Sequence, residues 1–138
     1  MTAFVLDASV ALAWCFRDEA TAATWAVLDR LGSEAAAAPS LLPLEIANVL
    51  AVAERRGRIA AAGIAEFVAL LDALPVTLDG ETSARALTDI LGLTRAEGLT
   101  AYDAAYLECA MRLGVPLATK DAELRRAATK LGVPLLGG

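Results

Sequence analysis

The sequence predicts an α/β fold in which a parallel sheet is sandwiched between helices. Short apolar segments alternate with helical patterns along the chain, which is typical of parallel sheets. The first segment, AFVLD, is apolar without alternation, as expected of a strand covered on both faces. The last part repeats a helix, a glycine and a buried strand, in LGVPLAT and LGVPLLG. The 138 residues are enough for one ordinary domain, so we expect a single domain over 1–138.

The elements of the first half follow from hydrophobic periodicity and from glycine and proline positions. Gly32 ends a helix, and Gly57 separates two helices of a tight hairpin. The pattern predicts a strand at 3–7, helices at 9–16 and 21–31, a short strand at 35–38, and helices at 42–56 and 59–74.

The second half begins after Pro75 with the strand-like run VTL. A helical pattern then continues through Gly92, and Gly114 and Gly132 each end a later helix. The predicted elements are helices at 81–96 and 102–113, a strand at 115–119, a helix at 122–131 and a strand at 133–136.

The composition argues against membrane insertion and export. The longest apolar run, LLPLEIANVLAVA, is shorter than the roughly 20 residues that span a bilayer, and it contains Glu45 and Asn48. The N-terminus has no basic lead-in and places Asp7 inside the only possible signal core. We therefore expect a cytoplasmic protein.

The chain contains no histidine, which excludes a Ser-His-Asp triad and zinc sites that need imidazole. Cys15 and Cys109 have no CxxC spacing and lie in apolar helical patterns, so we expect buried free thiols. Any catalysis must therefore use carboxylates, hydroxyls or lysine.

Four acidic residues occupy positions that would normally be apolar or near a strand end. Asp7 ends the first strand, and Asp121 follows the strand at 115–119, so both belong to the carboxyl edge of the sheet. Asp103 lies in the first turn of an apolar helix. Glu45 falls on the apolar arc of its helix.

Each acid also has a purely structural explanation. Asp121 and Asp7 could cap helices, Thr100 and Asp103 could form a capping box, and Glu45 could reach solvent. However, two carboxylates 4 Å apart repel by about 4 kcal/mol at an effective dielectric of 20, so a cluster needs protons or a cation. Oxygen ligands alone suit Mg²⁺ or Mn²⁺, and we therefore expect Asp103 to be a metal ligand.

Four sequence blocks occur in order: VLDASV, PSLLPLEIANVL, LTAYDAAYLECA and PLATKDAEL. Together they resemble the PIN-domain ribonucleases, in particular the VapC toxins of bacterial toxin–antitoxin pairs. The resemblance covers nearly the whole chain and implies a three-layer α/β/α fold. It also implies an endoribonuclease that depends on Mg²⁺ or Mn²⁺, leaves a 5′-phosphate and is bound by a VapB-type antitoxin.

Block by block, the family's acidic residues fall on Asp7, Glu45, Asp103 and Asp121. All four are candidate metal ligands; in the mechanism that we expect, Asp7 and Asp103 hold the metal, and Glu45 and Asp121 hold a second cation or orient water. The neighbouring polar positions that match the family's pattern are Ser9, Thr119 and Asn48.

The distribution of charged and apolar residues suggests which molecules this protein binds. The net charge of −5 argues against general binding of nucleic acid, but basic residues are concentrated at 55–58 and 112–130. These could hold RNA phosphates or simply lie on solvated helix faces. Trp14, Phe16 and Trp25, with the helical hairpin at 42–74, could form an antitoxin groove and a homodimer contact, or belong to the core.

Two other functional classes compete with the nuclease. A phospho-accepting receiver domain also carries acids and a lysine at strand ends, but it needs an acidic pair after its first strand, where this chain has DAS. A catalytically silent PIN-like binding module would share every helix and strand with the enzyme. The four intact acids favour the enzyme.

Overall fold

A five-stranded sheet with all strands parallel lies at the centre of the computed structural model, which describes residues 1–138. The strand order is β3-β2-β1-β4-β5. The strands are β1 Thr2–Leu6, β2 Ala35–Pro39, β3 Val76–Asp79, β4 Leu117–Ala118 and β5 Leu135–Leu136. Helices and sheet together form a three-layer α/β architecture, which confirms the predicted fold class.

Eight α-helices connect or flank the strands: α1 Ala8–Ala13, α2 Ala22–Arg30, α3 Leu42–Arg55, α4 Ala61–Ala73, α5 Thr82–Arg85, α6 Leu91–Glu97, α7 Ala101–Leu113 and α8 Ala122–Lys130. A 3₁₀ turn at Arg17–Glu19 precedes α2, and a π-helical turn at Ala86–Ile90 joins α5 to α6. No helix combines the length and the apolar character needed to cross a bilayer.

Three predicted elements differ from the structure. The helix predicted at 81–96 is present, but the π-helical turn interrupts it rather than Gly92. The strands predicted at 115–119 and 133–136 shorten to two residues each. Pro116 and Pro134 precede these strands and have no N–H to donate to a ladder, although both carbonyls accept bonds from the neighbouring strand.

The core surrounds β1 and α7. Phe4, Val5 and Leu6 of β1 are at most 1% exposed, because a central strand is covered on both faces. The consecutive residues 104–110 of α7 are all buried, since this helix packs on β1, β2 and β4 as well as on α6 and α8.

The register of β1 and β4 brings two distant segments together. Leu6 pairs with Ala118 in the parallel ladder, and the amide of Asp7 donates to the carbonyl of Ala118. Asp7 and Thr119 therefore emerge side by side at the carboxyl edge of the sheet, where parallel α/β proteins place their binding sites.

Candidate active site at the carboxyl edge of the sheet

Asp7 is the most buried of the four acids, with 4% of its surface exposed. Its Oδ2 accepts a 2.7 Å hydrogen bond from Ser9 Oγ and another of 2.7 Å from Thr119 Oγ1. Burial raises the pKa of Asp7, while these two hydroxyls and the backbone amides of Ala8 and Ser9 lower it. Two donors on one oxygen fix the orientation of a carboxylate that has little contact with water.

The two hydroxyls also fix the loop after β4. Ser9 Oγ accepts the amide of Lys120 at 2.9 Å, and Thr119 Oγ1 accepts the amide of Asp121 at 3.1 Å. Ser9 and Thr119 therefore join the end of β1 to the start of α8, and both lie where the sequence predicted hydroxyls beside the first and last acids.

Asp103 lies in the first turn of α7 and is half-buried. Its backbone amide donates to Thr100 Oγ1 at 3.1 Å, so Thr100 caps the helix, but the backbone amide of Thr100 does not donate back to the Asp103 carboxylate. Burial is the main cause that raises the pKa of Asp103 to about 6, followed by the charges of Asp121 and Asp7. The capping box is thus only half formed, and capping does not explain the Asp103 carboxylate.

Asp121 is the N-cap of α8, as the structural explanation predicted. Its Oδ2 accepts the amide of Leu124 at 2.8 Å. The same carboxylate is close enough to Asp103 for its charge to raise the pKa of that residue. Asp121 therefore both caps α8 and belongs to the acidic cluster.

Glu45 lies in the first turn of α3, which begins at Leu42 as the sequence predicted. The positive end of the helix dipole favours a carboxylate there. Its Oε1 is nevertheless buried and has no hydrogen-bond partner. Burial is the main cause that raises the pKa of Glu45; the neighbouring Tyr106 hydroxyl lowers it, and the charges of Asp7 and Asp103 raise it.

Tyr106 is a residue of this site that the sequence analysis missed. It is 0% exposed, and its hydroxyl has no hydrogen-bond partner. Burial first, then the charges of Glu45 and Asp7, the approach of the hydroxyl to the Glu45 carboxylate, and the charge of Asp103 raise its pKa. A tyrosine in the otherwise non-hydroxylic stretch AAYLECA was the available signal, because buried tyrosines need a partner for the hydroxyl. Asn48, one turn after Glu45, is exposed and makes no hydrogen bond to the acids.

The charge of Asp7 raises the pKa of both Asp103 and Glu45, the charge of Asp103 raises that of Glu45, and the charge of Asp121 raises that of Asp103. No three of the chain's Asp, Glu and Cys side chains stand in the arrangement of a metal-binding group. The donor set still fits a hard divalent cation, since it is made of oxygens, is crowded with like charges and includes the unpartnered Oε1 of Glu45.

Most basic residues of the predicted clusters are engaged inside the chain. Their partners are backbone carbonyls or carboxylates for Arg58, Arg112, Lys120, Arg125, Arg126 and Lys130. Arg55 and Arg56, at the end of α3, are exposed and form no ion pair. The structure therefore leaves these two as the free basic residues of the predicted clusters.

Two of the three aromatic residues that were candidates for an antitoxin groove belong to the core instead. Trp14 and Phe16 are core residues at 7% and 5% exposure, and Trp14 Nε1 donates to the carbonyl of Thr24 at 2.8 Å. Trp25 is 42% exposed. An apolar groove of about 580 Å³ does exist, but it lies between α3, α4 and β3 and none of these aromatics lines it.

Residues 4–130 match the PIN domain family, so the chain belongs to that family. PIN domains are typically nucleases that use divalent metal ions. PAE2754 from Pyrobaculum aerophilum, known from its crystal structure, is similar at a TM-score of 0.70 and 24% identity, over 97% of this chain and 90% of that chain. That likeness supports the fold. No curated protein gives a significant match.

The family match and the strand order of the sheet exclude a phospho-accepting receiver domain. Receiver domains of the flavodoxin type have the strand order 2-1-3-4-5. The order here is β3-β2-β1-β4-β5, with the first strand in the centre.

Proposed function

We propose that this protein is a divalent-metal-dependent endoribonuclease that acts as the toxin of a type II toxin–antitoxin pair. The observation that carries the proposal is Asp7, a buried carboxylate held by two hydroxyls and placed within electrostatic reach of Asp103 and Glu45. A fold alone gains nothing from such crowding, because like charges that are partly buried destabilise it.

Asp7 and Asp103 are the residues that would hold Mg²⁺ or Mn²⁺. When bound, the ion supplies charge neutralisation at the scissile phosphate and makes a nearby water more acidic. Ser9 and Thr119 keep the Asp7 carboxylate in one orientation. Glu45 and Asp121 orient water or hold a second cation.

The RNA strand would extend from this site along α3. Arg55 is ten residues beyond Glu45, which corresponds to about 15 Å along a helix. Arg55 and Arg56 would contact backbone phosphates several nucleotides from the scissile bond. Such contacts position the strand without reading its sequence.

The groove between α3 and α4 supports the antitoxin part of the proposal. Twelve of its fifteen lining residues are hydrophobic, and Glu54 and Asp72 also contribute to the lining. An apolar segment of a VapB-type antitoxin with a basic residue would fit this groove. The exposed Leu44 on the same hairpin, which does not line the groove, would contribute to a homodimer contact, and light scattering of the purified protein would detect the dimer.

The nuclease is tested with purified protein and structured RNA. Cleavage should require Mg²⁺ or Mn²⁺, stop with EDTA and leave a 5′-phosphate. Asp7→Asn should abolish cleavage, whereas Asp29→Asn, on the exposed face of α2, should not. Cleavage that survives chelation would contradict the metal mechanism, and intact RNA under all these conditions would favour the silent PIN-like binding module.

The toxin role needs a separate experiment. Induced expression in bacteria should arrest growth, and Asp7→Asn should relieve the arrest at an equal protein level. A protein that cleaves RNA in vitro but leaves growth unchanged would retain the nuclease assignment and lose the toxin role.

A further inference from the structure

Two buried polar atoms at the acidic site lack a hydrogen bond, and they are chemically complementary. Oε1 of Glu45 can accept, and the hydroxyl of Tyr106 can donate. Leaving either atom unpaired in the interior destabilises the folded protein, because each has lost its hydrogen bonds to water. Both atoms therefore have the same physical reason to find a partner.

The geometry limits where that partner can be. Tyr106 is 0% exposed, so its ring cannot turn toward water. It lies three residues after Asp103, on the same face of α7, which directs the hydroxyl into the acidic site. Glu45 is only partly buried, at the start of α3, and its long side chain can adjust without moving the backbone.

We propose that the Tyr106 hydroxyl donates a hydrogen bond to Oε1 of Glu45 and is the positioning residue that holds this carboxylate in the active site. The catalytic part of this assignment rests on the proposed nuclease function. The hydrogen bond itself does not, and it can be tested in metal-free protein.

The hydroxyl acts through Glu45 and not on RNA. Residues that hydrogen-bond to a functional carboxylate, and so orient it without contacting the substrate, contribute about 10- to 100-fold to activity or metal affinity. Removing the hydroxyl therefore lowers kcat and weakens Mn²⁺ binding, and leaves the binding of RNA, which depends on other residues, unchanged.

The chain offers a matched control for this variant. Its two tyrosines, Tyr102 and Tyr106, lie one turn apart on α7, and Tyr102 is 66% exposed. Tyr106→Phe should reduce kcat and Mn²⁺ affinity, measured by electron paramagnetic resonance, by about 10- to 100-fold at unchanged KM for RNA. Tyr102→Phe should match the wild type. A Tyr106→Phe protein with wild-type kcat and Mn²⁺ affinity would overturn the positioning role.

A double-mutant cycle of Tyr106→Phe and Glu45→Ala, measured by thermal unfolding in EDTA, tests the hydrogen bond without an activity assay. Tyr106→Phe should lower the Tm of the wild type by roughly 3 °C, and should leave the Tm of Glu45→Ala unchanged or raise it. Equal effects in both backgrounds would overturn the hydrogen bond. A protein that shows this coupling but cleaves no RNA would refute the proposed function and keep the hydrogen bond.

A second measurement does not need a stable Tyr106→Phe protein. Tyrosine labelled with ¹³C at Cζ gives two NMR signals in this chain, and the signal of Tyr102 serves as an internal reference. Glu45→Ala should shift the Tyr106 signal because the phenolic hydroxyl loses its hydrogen-bond acceptor. An unchanged Tyr106 signal would show that the hydroxyl does not bond to Glu45.

Discussion

Thr119 Oγ1 donates a 2.7 Å hydrogen bond to Asp7 Oδ2, although the two residues are 112 positions apart in the chain. The parallel pairing of β1 with β4 makes this contact possible, because Leu6 and Ala118 are neighbours in the ladder. The orientation of the most buried acid therefore depends on the register of two strands, which brings the Thr119 hydroxyl to the oxygen that Ser9 also contacts.

The first prediction concerns that hydroxyl. Thr119→Val keeps the shape of a fully buried side chain but removes the donor to Asp7 and the acceptor of the Asp121 amide. We expect a loss of about 1–3 kcal/mol in urea unfolding and a 10- to 100-fold loss of RNA cleavage. Thr129→Val, on the exposed side of α8, is the control. Unchanged cleavage in Thr119→Val would remove this hydroxyl from the active site.

The second prediction separates a metal ligand from a structural residue at Asp103. Asp103→Asn keeps the Thr100 cap, which uses the backbone amide, but removes one of the crowded charges. We expect the variant to have a higher Tm than the wild type in EDTA and a smaller increase in Tm on adding Mg²⁺. We also expect it to lose more than the roughly 100-fold in cleavage that is typical of residues that only orient a metal ligand. A lower Tm in EDTA with retained cleavage would return Asp103 to a structural role.

The third prediction is the pH dependence of stability without metal. Folding raises the pKa of Asp103 from its usual 3.8 to about 6, so the folded protein binds this proton more tightly than the unfolded chain. The contribution of Asp103 to stability is therefore fully present below about pH 4 and is lost as the pH rises through 6. Asp103 is only half-buried, so solvent reduces the size of the effect.

Thermal unfolding in EDTA between pH 4 and 7 measures this dependence. The Tm of the wild type should fall more with rising pH than the Tm of Asp103→Asn. Identical slopes for the two proteins would mean that Asp103 titrates normally.

The fourth prediction concerns Arg112, which the sequence grouped with possible RNA contacts. Its guanidinium pairs with Glu108 at 2.7 Å and with Asp79, and the three side chains are 18%, 7% and 14% exposed. Arg112→Met should cost about 3–5 kcal/mol, because it leaves the largely buried Asp79 without an ion pair and leaves Glu108 with only the 3.6 Å contact to Arg85. Arg95→Met, at an exposed position without an ion pair, should change urea unfolding little. A fully stable Arg112→Met protein would contradict a structural role.

The fifth prediction concerns the two free basic residues of α3. The double variant Arg55→Gln and Arg56→Gln should raise KM for RNA and reduce the slope of log affinity against log salt by about 2, with kcat unchanged. Arg95→Gln controls for the general loss of positive charge. An unchanged salt slope would show that RNA does not follow α3.

The sequence predicted much of the architecture because its signals are local. Hydrophobic runs, helix-ending glycines and acids at strand ends depend on neighbours within a few residues, and they located β1, the α3–α4 hairpin and the repeated units at the end of the chain. They also brought Asp7 and Asp121 to one edge of the sheet. Pro116 and Pro134, which have no N–H to donate, account for the later start of β4 and β5, but only the tertiary structure shows which residues pair across the sheet.

The partners of charged and polar side chains were decided by tertiary structure alone. Arg112 and Arg125 are basic residues in the sequence, but Arg112 neutralises buried carboxylates and Arg125 donates to the carbonyls of Thr119 and Leu136. Tyr106 likewise belongs to the acidic site because α7 packs across the sheet and places this side chain where the charges of Glu45, Asp7 and Asp103 raise its pKa. Coulomb and hydrogen-bond energies depend on distances of a few ångströms between residues far apart in the chain, and only the folded chain sets those distances.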